Sequence, residues 1–168
     1  GAFKECKSLK EIIIPDSVKE IGEDAFRGCK KLADENGFVI VKNVLYNYYG
    51  NAKKVIIPNS VKKIGEWAFS FCESLEKITI PDSVTEIGGG AFYECKSLQE
   101  ITIPDSVTEI GDEAFEECKS LQEITIPDSV IVIGYSAFED CEKLVIKVPE
   151  NSYAQKYAEE NNIKSEAV

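Results

Sequence analysis

The chain has 168 residues with 30 acidic and 19 basic side chains, so its formal net charge at pH 7 is −11. This charge opposes binding to nucleic acid or to an anionic membrane, because either would require a basic surface. The chain contains no histidine, which excludes Ser-His-Asp and Cys-His nucleophilic sites and zinc centres that use histidine. Carboxylates are plentiful but recur at repeated positions, so we expect neither an enzyme nor a cofactor.

A repeat of 23 residues runs through the sequence. The segment Ser-Leu-Gln-Glu-Ile-Thr-Ile-Pro-Asp-Ser-Val occupies Ser97–Val107 and again Ser120–Val130, and close variants begin at Ser8 and Ser74. In each copy an apolar-polar-apolar triplet such as Ile101–Ile103 predicts a short strand, which the next proline ends because it has no N–H to donate. A unit copied at this period predicts a β-rich solenoid of the leucine-rich-repeat type, with one parallel sheet.

The second half of each repeat predicts how the coil closes. In one copy, residues 107–110 predict a second extended or turn-like piece, and Gly111 predicts a backbone conformation that other residues resist. The segment Asp112–Cys118 has the length of one helical or 3-10 turn that places Ala114 and Phe115 in the core. Coils stacked about 4.8 Å apart would then bury identical side chains in ladders.

We interpret the chain as a single domain and as a fragment of a longer array, because it opens in the middle of a repeat. Residues 38–41 and 44–48 are apolar runs on either side of Lys42-Asn43, which favours a β-hairpin; a degenerate, shortened coil is the alternative. The units are a partial repeat at 1–6, repeats at 7–29, at 30–72 with an insertion at 33–52, at 73–95, at 96–118 and at 119–141, and a C-terminal cap at 142–168.

The C-terminal unit departs from the repeat. Residues 144–149 predict a last strand, and residues 152–162 predict a helix, since apolar side chains recur on one of its faces and Asn151 or Ser152 can cap its start. Solenoid ends need a cover, so this helix is the predicted C-terminal capping helix. Ile131 and Val132 replace the usual polar pair in the last full repeat, which predicts additional cover near that end.

The repeated phrase Ile-Pro-Asp-Ser-Val-x-x-Ile-Gly-x-x-Ala-Phe-x-x-Cys resembles the BspA-like leucine-rich repeats of bacterial surface proteins, over nearly the whole chain. The resemblance implies a secreted or surface-attached protein, associated with adhesion to host proteins or other cells, and without catalytic residues. It implies an extracellular or cell-surface location and a protein or glycan partner. We further expect no membrane insertion and a monomer that could associate through its uncapped N-terminal end.

Two repeated columns could carry chemistry. The six cysteines recur once per repeat, and parallel neighbours in stacked coils suit a disulfide poorly, so a ladder of six reduced, buried thiols is expected. The acidic column could bind calcium, or each side chain could bond to its own turn, and we favour the turn. The column consists of Asp16, Asn59, Asp82, Asp105 and Asp128.

Several aromatic residues are not required by the repeat. Trp67 and Phe71 occupy positions that are polar or glycine in other copies, and three tyrosines lie in or beside the insertion. One hypothesis is a partner-binding patch, because Trp and Tyr are enriched at interface hot spots. The other is that Trp67 and Phe71 dock the insertion. The predicted function is a protein- or glycan-binding scaffold, with a structural spacer as the alternative. The candidate patch is Tyr46, Tyr48, Tyr49, Trp67, Phe71 and Tyr93.

Overall fold

The computed structural model describes all 168 residues and contains two six-stranded sheets along one stack of coils. Sheet 1 has the strand order β12-β11-β9-β7-β5-β3, and sheet 2 has the order β1-β2-β4-β6-β8-β10. The strands are β1 (Phe38–Val41), β2 (Val44–Tyr48), β3 (Lys54–Ile56), β4 (Lys63–Ile64), β5 (Lys77–Thr79), β6 (Glu86–Ile87), β7 (Glu100–Thr102), β8 (Glu109–Ile110), β9 (Glu123–Thr125), β10 (Val132–Ile133), β11 (Val145–Val148) and β12 (Lys164–Ala167).

The pairing register confirms the predicted solenoid with coils of 23 residues. Lys77 lies opposite Glu100 in sheet 1, and Glu86 lies opposite Glu109 in sheet 2, each 23 positions further along the chain. The single sheet that the sequence predicted is the one built from the apolar-polar-apolar triplets. Sheet 2 is additional, because the extended piece that follows each proline turn also pairs with its copy in the next coil.

A third set of backbone hydrogen bonds joins the coils at the segments that carry the phenylalanines. The N–H of Phe69 donates to the carbonyl of Ala91 over 2.8 Å, and Phe92 donates to Ala114 over the same distance. The predicted single turns are present in these coils, because the N–H groups between these inter-coil donors bond three residues back: Tyr93 donates to Gly90 over 3.0 Å and Cys95 donates to Phe92 over 3.1 Å. The two 3-10 helices, Glu23–Phe26 and Lys30–Leu32, lie in the N-terminal part of the chain.

The glycine that follows each sheet-2 strand is required for close approach of neighbouring coils. A Cβ atom at Gly111 would lie 2.5 Å from the backbone nitrogen of Gly89, and one at Gly134 would lie 2.3 Å from that of Asp112. Gly111 does not adopt a positive φ, so the predicted reason for this glycine, a conformation that other residues resist, is wrong. The left-handed positions of the repeat carry larger residues, such as Glu94.

Stacked rings form the centre of the core. Phe69, Phe92, Phe115 and Phe138 stack in order with centroid separations of 5.2, 5.0 and 5.3 Å and interplanar angles of 4° to 9°. Ladders of isoleucine, leucine and valine surround this stack in one cluster of 37 buried residues. Burying identical apolar side chains in register removes each of them from water, which is the main force that holds such coils together.

The insertion is a β-hairpin, as predicted. β1 and β2 pair antiparallel, and the turn residues Lys42 and Asn43 have φ values of 46° and 66°, as a two-residue hairpin turn with positive φ at both positions requires. β2 also pairs in parallel with β4, with Val44 opposite Lys63. The second strand of the hairpin thus takes the place of a sheet-2 strand, with a step of 19 residues instead of 23.

The helix α1 (Tyr153–Glu160) packs at the C-terminal end, as predicted. The Ser152 hydroxyl caps the helix by accepting a hydrogen bond from the N–H of Gln155. Ala154 and Ala158 lie on the buried face of the helix. β12 was not predicted; it follows the helix and pairs with β11 along the outer side of sheet 1.

The additional cover expected near Ile131 and Val132 is absent. Ile131 is 64% exposed and Val132 is 43% exposed. Both lie at β10, the last strand of sheet 2, because the capping elements extend sheet 1 and do not extend sheet 2 past β10.

Candidate binding surface

Two of the six candidate aromatic residues belong to the core. Tyr46 is 4% exposed and meets Phe26 edge-on with ring centroids 5.0 Å apart. Tyr48 is 8% exposed and lies between Phe38 and Phe69, at 5.2 and 5.1 Å. Neither ring is available to a partner, because both continue the phenylalanine stack into the hairpin.

Tyr49 is half-buried against the N-terminal coil. Its hydroxyl accepts a hydrogen bond from the N–H of Gly28 over 2.9 Å, and the Nζ of Lys30 lies 5.7 Å from its ring centroid. Burial raises the pKa of Tyr49, which fits a hydroxyl held in a structural contact. The structure therefore separates Tyr49 from the three remaining candidates.

Trp67, Phe71 and Tyr93 come together on the surface, and we call these three residues the aromatic cluster. Tyr93 stands edge-on to both neighbours, with centroid separations of 5.4 Å to Trp67 and 5.5 Å to Phe71. Phe71 is 56% exposed, whereas Trp67 and Tyr93 are half-buried. Edge-to-face contacts of this kind are favourable, so the cluster presents one ordered apolar surface.

Two residues of the aromatic cluster adopt an uncommon backbone conformation. Trp67 and Phe71 have φ values of 58° and 59°, a left-handed region that is unusual for bulky residues. The conformation lets the N–H of Trp67 donate to the carbonyl of Gly89 over 2.9 Å and that of Phe71 donate to Tyr93 over 2.8 Å. These inter-coil bonds offset the local strain.

The indole of Trp67 lies on Gly90 of the next coil. A Cβ atom at Gly90 would come within 2.4 Å of Cε3 of the indole, so any larger residue there would displace the ring. β4 has β2 of the hairpin on one side and β6 on the other, and the ring contacts of Trp67 lie on the β6 side. The contacts with Gly90 and Tyr93 thus join Trp67 to the coil that follows it, on the side away from the hairpin.

An open trough runs beside the aromatic cluster along sheet 2. Its volume is about 330 Å3, and we call it the glycine trough because Gly88, Gly89, Gly111 and Gly134 line it with backbone only. Its other lining residues are Trp67, Ile87, Ile110 and Val132, together with one lysine and five carboxylates: Lys63, Glu66, Glu86, Glu109, Asp112 and Glu113.

Negative charge exceeds positive charge in the glycine trough. The Nζ atom of Lys63 lies 2.8 Å from a carboxylate oxygen of Glu23 and 2.7 Å from one of Glu86. Burial alone would lower the pKa of Lys63, but these two ion pairs outweigh burial, so its pKa is raised. Burial and then the charge of Glu23 raise the pKa of Glu66. Because Lys63 is already engaged, an uncompensated negative charge remains along the trough.

Carboxylates also surround Tyr93. Desolvation and then the negative charges of Glu116, Glu94, Glu117 and Glu113 raise its pKa. Desolvation and neighbouring acids, Glu113 first, raise the pKa of Glu116 as well. The surface is thus apolar at its centre and anionic at its edge.

None of the six cysteines forms a disulfide in the structure, and they differ in exposure. Cys29, Cys95 and Cys118 are buried, Cys72 and Cys141 are half-buried, and Cys6 is exposed. The expectation of six buried thiols is wrong for Cys6, which lies in the partial repeat with one neighbouring coil. The Sγ of Cys95 donates to the carbonyl of Phe69 over 3.2 Å, and burial raises the pKa of Cys72 to about 12.

The acidic column could bind calcium only if several of its side-chain oxygens converged on one point. The structure has no group of three or more acidic, cysteine or histidine side chains arranged to hold a metal ion. The hydroxyls of the adjacent serines instead bond between coils: Ser106 donates to the carbonyl of Val84 over 2.6 Å.

The stacked coils, two parallel sheets and repeated apolar ladders define a leucine-rich-repeat solenoid. The chain belongs to the BspA-type leucine-rich repeat family, because the pattern described as the BspA type leucine rich repeat region matches it in 6 copies over residues 1–36 and 39–164. This family has bacterial surface and protein-binding roles, and its solenoids are typically non-catalytic.

Solved structures of three bacterial leucine-rich repeat proteins share the fold. A leucine-rich repeat protein from Bacteroides ovatus is 34% identical with a TM-score of 0.67, over 95% of this chain and 42% of that one. One from Eubacterium ventriosum is 31% identical with a TM-score of 0.61, over 84% of this chain and 42% of that one. A leucine-rich cell surface protein from Faecalibacterium prausnitzii is 32% identical with a TM-score of 0.54, over 89% and 50%.

The chain thus spans half or less of the length of these three relatives. A search of curated proteins gave no match. None of the helices has the length and apolar character that crossing a bilayer requires.

Sequence reasoning missed the glycine trough and the role of Gly90. In the run Gly88-Gly89-Gly90 the sequence indicates the glycine of the repeat followed by two small substitutions at exposed positions, whereas Gly90 is buried against Trp67. The available signal was that the coil with a tryptophan is followed, in the same column, by the one glycine among Trp67, Gly90, Glu113 and Ser136.

Proposed function

We propose that this chain is a non-catalytic binding scaffold at the bacterial cell surface, that its partner is a protein or glycan on another cell or host surface, and that the aromatic cluster is its central contact. The observation that carries the proposal is the exposed, ordered set of rings at positions that are polar or glycine in the other coils. Three converging aromatic side chains are typical of interface hot spots.

The surface location draws support from the family and from the cell surface protein of Faecalibacterium prausnitzii among the related structures. The rigid core supports the binding role, because outward side chains can vary on a stack whose ladders stay fixed. The glycine trough and the cluster share Trp67, so one partner could contact both.

Binding of the fluorescently labelled protein to intact epithelial and bacterial cells, measured by flow cytometry, tests this proposal. We expect saturable binding that weakens at least about tenfold in Phe71→Ser and in Trp67→Ser, as for a hot spot. Tyr135→Ser is the matched control, because that ring is 81% exposed but lies outside the cluster. Equal loss in all three variants, or loss in Tyr135→Ser alone, would refute the cluster as the contact.

A structural spacer is the second candidate. The regular coils at residues 73–141 favour it, because they stack with a constant 23-residue register. A spacer predicts no saturable binding of the isolated protein to either kind of cell, and unchanged behaviour of the Phe71→Ser and Trp67→Ser variants.

A further inference from the structure

The charge around the aromatic cluster restricts the chemistry of its partner. Glu94 and Glu117 are each paired with a lysine, Lys96 and Lys119. Glu66, Glu113 and Glu116 take part in no ion pair. These three unpaired carboxylates lie in the trough lining or beside Tyr93, so the surface attracts cations and repels anions.

The arrangement of the rings fits a cationic side chain better than a sugar. Tyr93 meets Trp67 at 70° and Phe71 at 74°, so a ligand can stack on one ring at a time, and the unpaired carboxylates around the rings favour a cation over a neutral sugar. A lysine or arginine side chain needs a single ring face with anionic groups nearby. Trp67 is the ring nearest to these groups, with Glu66 next to it in the chain and Glu113 two coils further along the same trough.

Resting on the binding function proposed above, we propose that the aromatic cluster and the glycine trough bind an extended, lysine- or arginine-rich segment of a partner protein. Four of the residues that line the trough are glycines, so an extended segment meets backbone at these positions and the side chains of Trp67 and of the carboxylates beside them. Its basic side chains pair with Glu66, Glu109 and Glu113, and one of them lies over Trp67. The raised pKa of Glu66 supports this arrangement, because a neighbouring cation would relieve the cost of its ionised form.

The chain has one tryptophan, so its fluorescence reports directly on the proposed site. The probe is a short peptide of alternating glycine and arginine, with glycine-glutamine and glycine-glutamate peptides of equal length as comparisons. We expect the arginine peptide to change the emission of Trp67 saturably and to bind more weakly as salt is added. The glutamine peptide should bind far more weakly, and the glutamate peptide should not bind.

A pair of double variants separates a local site from general charge attraction. Glu66→Gln with Glu113→Gln should weaken the arginine peptide about 3- to 30-fold, as expected for two partly exposed ion pairs. Glu11→Gln with Glu150→Gln makes the same change in net charge at two exposed carboxylates outside the trough, neither in an ion pair, and should leave binding unchanged. Circular dichroism of both double variants checks that they fold.

Equal binding of the arginine and glutamine peptides, or equal weakening in both double variants, overturns the proposal. A neutral oligosaccharide that shifts Trp67 emission where the arginine peptide does not also overturns it, while leaving the binding function intact. The proposal of a basic partner segment is also overturned if cell binding requires Phe71 and Trp67 but is unaffected by the double variant Glu66→Gln with Glu113→Gln. The binding function itself fails separately, if the Phe71→Ser and Trp67→Ser variants bind cells as the unaltered protein does.

Discussion

Replacing Phe92 with alanine tests the stacked-ring core. Phe92 is fully buried and stacks on Phe69 at 5.2 Å and on Phe115 at 5.0 Å, so it contributes to two inter-coil interfaces. A buried Phe→Ala change costs about 3–5 kcal/mol, and the loss of two stacked pairs, each about 0.5–1.5 kcal/mol, places this one at the upper end, about 4–5 kcal/mol. Such a loss is comparable to the whole stability of many domains.

Urea denaturation followed by far-UV circular dichroism and by Trp67 fluorescence measures this loss. For an m-value of about 2 kcal/mol/M, the midpoint should fall by roughly 2 M. The control is Thr102→Ala, since Thr102 is an exposed residue of β7 and such a change alters stability by less than about 0.5 kcal/mol. Equal midpoints for the two variants would refute the assignment of inside and outside.

Three further predictions follow from the ends of the stack and the thiols. A thiol reagent should modify Cys6 fastest in the native protein, and all six thiols should react after denaturation without reductant; fewer than six would reveal a disulfide. Deleting residues 152–168 removes the helix and β12, so it should lower the melting temperature and promote aggregation; an unchanged monomer with the same melting temperature would contradict the capping role. The hydrogen bonds from Lys147 and Lys164 lower the pKa of Glu166 from 4.5 to about 2, so its stabilising contribution is present above pH 4.5 and is lost as the pH falls towards 2; an NMR titration midpoint near 4.5 would contradict this.

The features predicted correctly are those with local signals. The period gave the coil length, and Lys42-Asn43 between two apolar runs gave the hairpin, since a two-residue turn with positive φ favours Asn. The helix was predicted from its apolar face and its cap at Ser152.

The features missed depend on contacts between coils. The sequence predicted an extended or turn-like piece at residues 107–110 but not the second sheet, because a strand of two residues, such as β8, shows no alternation that would reveal its pairing. The left-handed conformations at Trp67 and Phe71 likewise arise because their N–H groups bond to the next coil. β12 has the sequence Lys-Ser-Glu-Ala, which has low β-propensity, and it forms because α1 returns the chain to β11.

Two of the six residues in the predicted patch lie in the core, and the insertion hid this because it breaks the alignment of the repeat. Tyr46 and Tyr48 lie within the insertion, where the phenylalanine column cannot be aligned, so the sequence did not assign them to the core. In the structure Tyr46 adjoins Phe26 and Tyr48 adjoins Phe69. The hairpin therefore supplies its own rings where the regular column is interrupted.

The position of the aromatic cluster follows from the geometry of the stack. A ring at the Trp67 position extends over the residue that occupies the same column in the next coil, and that residue is Gly90. Further along the same column, Glu113 is followed by Ser136 in the next coil. An aromatic ring at position 113 would therefore meet the Cβ atom of Ser136. A large aromatic side chain can thus be accommodated where the next coil carries glycine in that column, which ties the tryptophan and the glycine together as one structural unit. The regular coils that follow keep small or charged side chains in the column, so the aromatic cluster stays local although the scaffold repeats.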